Sequence, residues 1–401
     1  MRVLISTYGS RGDVEPMAAL AVALRALGAE AVVCAPPDPE FARLLAAADM
    51  PMVPAGRPVR PLVTGTGPPP TGDFAARTDA VLDEHFNAIL TAATGCEMIC
   101  ATGMFPAAAA ARTAADALGI RYRHVSLQPT LLPSRTHPPP ERPGRPLPAS
   151  GGNLALWAHD ADSMHALYGA PVNRLRAANG LPPLVNVRDH VHTGQPLLAT
   201  DPVLDPLHPD DTGITQTGPW ILPDERPLPA ALDAFLDAGP APVYIGFGSI
   251  PMRPRHDIAR IAVGAARRNH RRIVLASGWA DLAPVDDRDD CITVDDVNQQ
   301  QLFPRVAAVV HHGGAGTTAT AAVAGTPQTV LPQIVDQPYW ARRVSELGIG
   351  TAHTGPTLTT RSLTAAIETT LTPQIRARAA ATAKLIRTDG AATAAKRLLD
   401  T

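Results

Sequence analysis

The run Val309-Val310-His311-His312-Gly313-Gly314-Ala315-Gly316-Thr317-Thr318 has the residue types and the order of an anion site. The apolar pair reads as the end of a buried strand, the glycines as a turn and the hydroxyls as a helix start. Amides at a helix start point outward without intrahelical partners, the helix dipole adds positive charge there, and glycine lets a diphosphate approach with no Cβ in the way. His312 adds a donor at the same rim. A tight turn with a packed histidine would use the same glycines; the paired histidines and the following hydroxyls favour phosphate.

Two acidic positions have chemistry to offer beside it. Asp13 follows the first strand in Gly9-Ser10-Arg11-Gly12-Asp13, where a carboxylate can act as a general base or, with equal claim, as the N-cap of the helix that comes next. Asp336-Gln337 sets a carboxylate beside a carboxamide, a pair able to bracket several sugar hydroxyls; Asp336 also reads as the cap of a helix from Gln337 to Leu347. Asp287-Arg288-Asp289 looks like a metal-binding acid pair, but it lies in an acidic loop away from the phosphate turn and reads as solvated, so no metal is expected.

The elements that must hold these groups alternate strand and helix twice. Strand Val3 to Thr7 precedes a helix whose apolar positions Met17, Leu20, Ala21, Leu24 and Leu27 keep helical spacing and stop at Gly28; Ala31 to Cys34, Met98 to Ala101, an alanine-rich helix Ala107 to Leu118 and Tyr122 to Leu127 follow. Pro129 to Ser150 is too rich in breakers for either element and reads as a long loop, a place for partner or acceptor contact. From Asn153 to Tyr168 the pattern is helical again, with Trp157, His165 and Tyr168 either packing or lining a cleft.

A second series follows the turn-rich stretch Thr217 to Pro223, read as the interdomain linker. It runs through strand Val243 to Phe247, helix Ile258 to Arg268, strands Ile273 to Ala276, Ile292 to Val294 and Val306 to His311, a helix from Thr317 to Ala324, and strand Gln328 to Leu331. The pattern predicts an α/β protein of two doubly wound domains, 1–216 and 217–386, facing across a cleft, with ligands at the carboxyl ends of the strands.

Composition bounds the partners. The chain has 401 residues and a formal charge of −2 from 35 basic and 37 acidic side chains, a balance that offers no field to nucleic acid or an anionic membrane. No apolar stretch is long enough to span a bilayer and no signal peptide is recognisable. Cys34, Cys96, Cys100 and Cys291 are scattered without the paired spacing of a zinc site, so a reduced, cytoplasmic protein, monomeric and without a cofactor, is expected. Lys384 and Lys396 are the only lysines; the rest of the positive charge is arginine.

Taken in order, Gly9 to Asp13, Ile245-Gly246-Phe247-Gly248-Ser249, Ser277-Gly278-Trp279-Ala280-Asp281-Leu282, His311 to Thr318 and Asp336-Gln337-Pro338-Tyr339 resemble the inverting family-1 glycosyltransferases of the GT-B fold. The likeness is strongest to the actinobacterial enzymes that glycosylate antibiotics of the vancomycin and teicoplanin type, and it includes Ala199 to Leu204 and Gln216 to Leu228. The resemblance implies two Rossmann-like domains, an acceptor-binding one and a nucleotide-sugar-binding one, with residues 387–401 returning as a helix to the first.

It also implies hexosyl transfer, of glucose or N-acetylglucosamine type, from a nucleotide diphosphate, more in keeping with UDP than TDP, to a hydroxyl of a glycopeptide aglycone. Residue by residue, Asp13 becomes the base. Ser10, Gly12, Ser249, His312, Gly313, Gly314, Ala315, Gly316 and Thr317 take the phosphates, Trp279, Val297 and Gln300 border the nucleotide, and Asp336 with Gln337 reads the sugar. The chain departs from the family at Ser277, which stands where relatives carry arginine, so a charged donor contact is missing. A sugar-nucleotide epimerase of the same fold, or a protein that binds donor or antibiotic without turning it over, are the alternatives; a nicotinamide enzyme would need a Gly-x-Gly-x-x-Gly turn that neither glycine loop supplies.

Overall fold

A computed structural model of the chain describes residues 1–67, 72–192, 194–211, 213–249, 255–280, 282–353 and 357–400, with the backbone alone at 255–257 and 280. The chain divides into two compact units. The first holds Met1–Thr200, Pro206–Leu222 and Asp389–Thr401; the second holds Asp201–Asp205 and Pro223–Thr388.

In the first unit the chain runs β1 (Arg2–Tyr8), α1 (Arg11–Ala26), β2 (Glu30–Ala35), α2 (Pro39–Ala47), β3 (Met52–Pro54), α3 (Arg60–Thr64) and α4 (Phe74–Ala92). It continues with β4 (Met98–Gly103), α5 (Phe105–Leu118), β5 (Arg121–Ser126), α6 (Asn153–Ala178), α7 (Val187–His192), β6 (Leu197–Leu198) and β7 (Thr215–Gln216). Among the described residues these strands form one parallel sheet in the order β3-β2-β1-β4-β5-β6-β7. β1 is buried along Val3 to Tyr8, as a central parallel strand covered on both faces must be. Leu4, Ile99 and Ala101 pack toward α4, α5 and α6 through Leu82, Phe86, Ala108 and Met164.

The second unit opens with α8 (Ala230–Asp237), β8 (Val243–Gly246), α9 (Arg255–Arg268), β9 (Ile273–Ala276), β10 (Cys291–Val294) and α10 (Gln299–Leu302). It closes with β11 (Ala308–His311), α11 (Ala315–Val323), β12 (Gln328–Val330), α12 (Gln337–Glu346), β13 (Gly350–Ala352), α13 (Thr360–Thr370) and α14 (Pro373–Ala383). Its sheet is parallel in the order β10-β9-β8-β11-β12-β13. Alternate residues of β8 serve its two faces: Val243 and Ile245 meet Ile258, Leu363 and Ile367, whereas Tyr244 meets Leu232, Leu302 and Phe303.

The last helix, α15 (Gly390–Leu399), belongs to the first unit and packs against α1. Its first residue must be glycine, because a Cβ there would lie 2.4 Å from the Pro219 carbonyl oxygen. Several expectations shift at element ends: α5 starts at Phe105 rather than Ala107, α9 at Arg255 rather than Ile258, and β11 at Ala308 rather than Val306. α6 continues past Tyr168 through Gly169 and Pro171 to Ala178, and α11 starts at Ala315, two residues before Thr317. The loop between β5 and α6 keeps one 3-10 turn, Pro129–Leu131, and one isolated antiparallel bridge, Arg142 to Arg145, and is otherwise irregular.

Candidate functional site

The phosphate-type turn lies in the second unit, at the carboxyl end of β11. His311 is fully buried and braces it: Nδ1 accepts the Gly313 N–H at 3.1 Å, while Nε2 lies 2.9 Å from Gln328 Oε1. Burial, then the neighbouring His312, drives its ring down to about 3. Gly313 stands at φ +92, and a Cβ there would meet Val330 Cγ1 at 2.7 Å, so no other residue makes this turn without displacing β12. Gly314 is the N-cap of α11, and no side chain caps the helix among the described residues. The first-turn amides of Ala315, Gly316 and Thr317 therefore have neither a helical nor a side-chain acceptor, and no acidic residue occupies that turn. A Cβ on Gly316 would meet nothing within 4 Å, so packing alone does not ask for glycine there.

His312 forms the rim. Burial holds its imidazole down to about 4, and its Nδ1 has no hydrogen-bond partner among the described residues. It is thus neutral at physiological pH and can donate one hydrogen bond to an anion. The ring fits where two glycines leave room: a Cβ on Gly248 would come within 3.0 Å of it, and one on Gly314 within 2.6 Å. Gly248 in turn accepts the Trp279 N–H at 3.1 Å, and Gly278, at φ +53, abuts the Gly248 carbonyl. The loops after β8, β9 and β11 are therefore one assembly, all at carboxyl ends of parallel strands, where doubly wound sheets bind ligands.

The loop after β12 joins it, since the Gln337 carbonyl oxygen lies 3.2 Å from where a Gly313 Cβ would be. Asp336 makes no capping bond to α12; its Oδ2 accepts the Trp340 Nε1–H at 2.8 Å. Desolvation pushes this half-buried carboxyl up to about 6, against the pull of that bond. Gln337 is buried and commits its Oε1 to the amides of Gln333 (2.7 Å) and Ile334 (3.1 Å). Between them stands Val335 at φ +56, a β-branched residue in the left-handed region, at a cost of order 1–2 kcal/mol. Gln337 thus clamps the loop that presents Asp336. Trp340 escaped the reading of the sequence, although it sits four residues after Asp336, at the spacing that brings helix side chains together.

The other expected donor residues are less uniform. Ser249 is half-buried at the turn after β8, Trp279 and Val297 are buried, and Gln300 is exposed at the start of α10. Beside them Asn298 caps α10 and donates to the Asp224 and Arg226 carbonyls at 2.7 and 2.8 Å. Ser277 bonds to Asp295 Oδ1 at 2.5 Å. Asp281 lies outside the described residues. Asp287, Arg288 and Asp289 are exposed, and among the described residues no three metal-type side chains converge.

Ser10, Gly12 and Asp13 belong to the first unit, at the carboxyl end of β1. α1 begins at Arg11, so Asp13 lies inside its first turn rather than before it. Ser10 is the N-cap, and Asp13 Oδ2 accepts the Ser10 N–H at 2.8 Å, the acidic arm of a capping box. The carboxylate folds back over Gly9, where a Cβ would fall 2.1 Å from Oδ2. Gly9 is what lets Asp13 face its loop.

Residues 272–395 match the family described as erythromycin biosynthesis protein CIII-like, C-terminal domain. The chain is 51% identical over 400 residues to glycosyltransferase GtfE of Amycolatopsis orientalis, covering 99% of this chain and 97% of that one. The chain belongs to this glycosyltransferase family. Two further members from the same organism are a vancomycin aglycone glucosyltransferase, 49% identical across 100% of this chain and 97% of its own, and a dTDP-epi-vancosaminyltransferase, 48% identical across 94% and 92%. The solved glycosyltransferase of kitacinnamycin superposes over 100% of this chain and 98% of its own with a TM-score of 0.72 at 20% identity, which places the chain in the same GT-B fold. This glycosyltransferase has no helix, among the described residues, long and apolar enough to cross a membrane.

Proposed function

We propose that this glycosyltransferase moves a hexose, glucose or N-acetylglucosamine in type, from a UDP-linked donor to a phenolic or alcoholic hydroxyl of a glycopeptide antibiotic aglycone, with inversion and without a metal ion. The observation that carries the donor half is the uncapped N-terminus of α11 beside neutral His312. Three first-turn amides, the helix dipole and one imidazole donor supply the charge that a departing diphosphate needs. Asp336, held by Trp340, accepts from sugar hydroxyls. Gln337 contributes mainly by fixing the loop, its carboxamide oxygen being committed to backbone. Ser249, Trp279, Val297 and Gln300 border the nucleotide, and Ser10 and Gly12 are assigned to the phosphates.

Asp13 is the proposed base. It takes the acceptor proton as the acceptor oxygen bonds to the anomeric carbon, while the anomeric carbon–oxygen bond breaks and its electron pair leaves with the diphosphate. A phenol of pKa ~10 asks little of that base. Its capping bond to Ser10 is compatible with the role, because it fixes the carboxylate's orientation. Free thiols at Cys34, Cys96, Cys100 and Cys291 suit a reducing compartment, and the protein is assigned to the cytoplasm as a monomer.

Incubation with UDP- and TDP-sugars and a glycopeptide aglycone, read by product mass, tests the activity. A product one hexose heavier than the aglycone is expected with a UDP donor. No product with any pair would sink the proposal; exclusive use of TDP donors would correct its nucleotide. For the base, Asp13→Asn is expected to lower kcat by ~100-fold or more and to leave the Kd for UDP unchanged, measured by titration calorimetry; near-normal turnover would remove Asp13 from the role.

A further inference from the structure

The chain enters the second unit for five residues, Asp201–Asp205, before returning to the first, and those five residues strap one helix. Asp201 anchors the strap, its Oδ1 accepting the Val203 N–H and its Oδ2 the Arg387 N–H, both at 2.8 Å. Leu204, 2% exposed, packs among Trp340, Ala341 and Val344. Arg343 donates from Nε to the Leu204 carbonyl at 2.7 Å and reaches the Val203 carbonyl at 3.4 Å. The Tyr339 hydroxyl donates to the buried carboxylate of Asp205. Residues 339, 340, 343 and 344 form one face of α12, so the strap grips the helix over its length.

The opposite end of the grip is Asp336. Trp340, packed by Leu204, holds the Asp336 carboxylate with its indole N–H, and the Tyr339 and Trp340 rings meet edge to face at 5.2 Å. Burial and the Asp205 charge push the Tyr339 phenol far above its ordinary range. The pair is therefore a fixed charge-assisted tie rather than a titrating one, and a buried carboxylate deprived of its donor is costly.

We propose that Asp205 and Tyr339 are positioning residues for the sugar end of the donor site: the strap sets the seat of α12, and through Trp340 it sets where Asp336 stands. The inference rests on Asp336 reading the sugar, as proposed above. The two ends of the donor have different polar ties: His311 and Gln328 brace the diphosphate turn, Trp340 holds Asp336, and the strap reaches α11 only through the apolar cluster that Leu204 shares with Ala319 and Ala322.

Tyr339→Phe removes the hydroxyl and keeps the ring; Asp205→Asn keeps the shape and removes the charge. Each is expected to raise the Kd and KM for the sugar nucleotide about tenfold, to leave the Kd for UDP within about twofold, and to be nearly non-additive in the double variant. Arg343→Gln, which loosens the strap without touching Asp205, is expected to shift the same ratio and decides the matter if the first two fail to fold. Equal weakening of UDP and sugar nucleotide, or no weakening of either, would overturn the proposal. The ratio of the two Kd values is read by calorimetry without turnover, so a wild-type protein that forms no product sinks the transferase assignment separately from the strap.

Discussion

Asp336 is caught between two demands. Its burial favours the neutral acid, whereas the role proposed for it, accepting hydrogen bonds from sugar hydroxyls, favours the carboxylate, and a carboxyl pushed up to about 6 is ionised at pH 7.5 but largely protonated at pH 5. The donor KM is therefore expected to rise as pH falls through about 6, and in Asp336→Asn that step should vanish while KM is high at every pH. The stability effect has the opposite sign. A folded-state value above the ordinary carboxylate range means that Asp336 favours folding when protonated and loses that contribution as pH rises through about 6. Asp336→Asn should then melt no lower than the native chain at pH 8; a clear fall in Tm would show that the carboxylate holds the loop rather than being held by it. The left-handed Val335 next door points the same way, toward a loop kept tense by the Gln337 clamp.

At the scale of elements, β5 and α7 carry a second pH response. His124 and His192 stack at 4.4 Å in the core of the first unit, with Phe105 against the second ring. Burial holds His124 down to about 3; burial, His124 and the guanidinium groups of Arg142 and Arg188 hold His192 well below its ordinary value. Both arginines are tied to the buried Asp160 of α6, so the proline-rich loop that carries Arg142 is stapled to the unit by an ion pair. Since both folded-state values lie below the unfolded ~6.5, stability is complete above that pH and falls below it, by about 1.4 kcal/mol per pH unit for each ring. Urea unfolding at pH 7.5, 6.5 and 5.5 should show His124→Leu losing less stability per pH unit than the native chain; equal slopes would exclude the pair as the cause.

The same scale decides what could be read from the sequence. Strands β1, β2, β4, β8, β9 and β11 are largely apolar runs between breakers, and the glycine turn is contiguous, so both were legible. α6 was cut short because Gly169 and Pro171 look like stops; in the fold the His165 ring leans over Gly169, leaving 2.7 Å to a would-be Cβ, and the helix runs on. Asp13 was placed before α1 because the cap, Ser10, stands three residues earlier in a run of possible starts. The Asp205–Tyr339 tie joins residues 134 positions apart; no local spacing announces it.

Across the whole molecule the chain passes between its units four times, after Thr200, Asp205, Leu222 and Thr388. The sequence suggested two passages, at a linker near residue 217 and ahead of the final helix; the strap supplies the other two. A hybrid that takes residues 1–222 from a relative and 223–388 from this chain would bring a foreign strap to a native α12. Such a hybrid is expected to melt lower and to bind sugar nucleotide more weakly than one that also keeps native residues 201–205, as calorimetry on the two would tell; equal behaviour would free the boundary at Leu222.

Those five residues also bear on how members of this family can diversify. A single recombination at the linker exchanges the first unit cleanly in sequence but not in structure, because it carries a piece of the second unit along with it. New pairings of the two units are then expected to arise by substitutions within each unit, or by exchanges whose strap already suits the incoming helix, and a segment with no chemistry of its own becomes a gatekeeper of which hybrids survive.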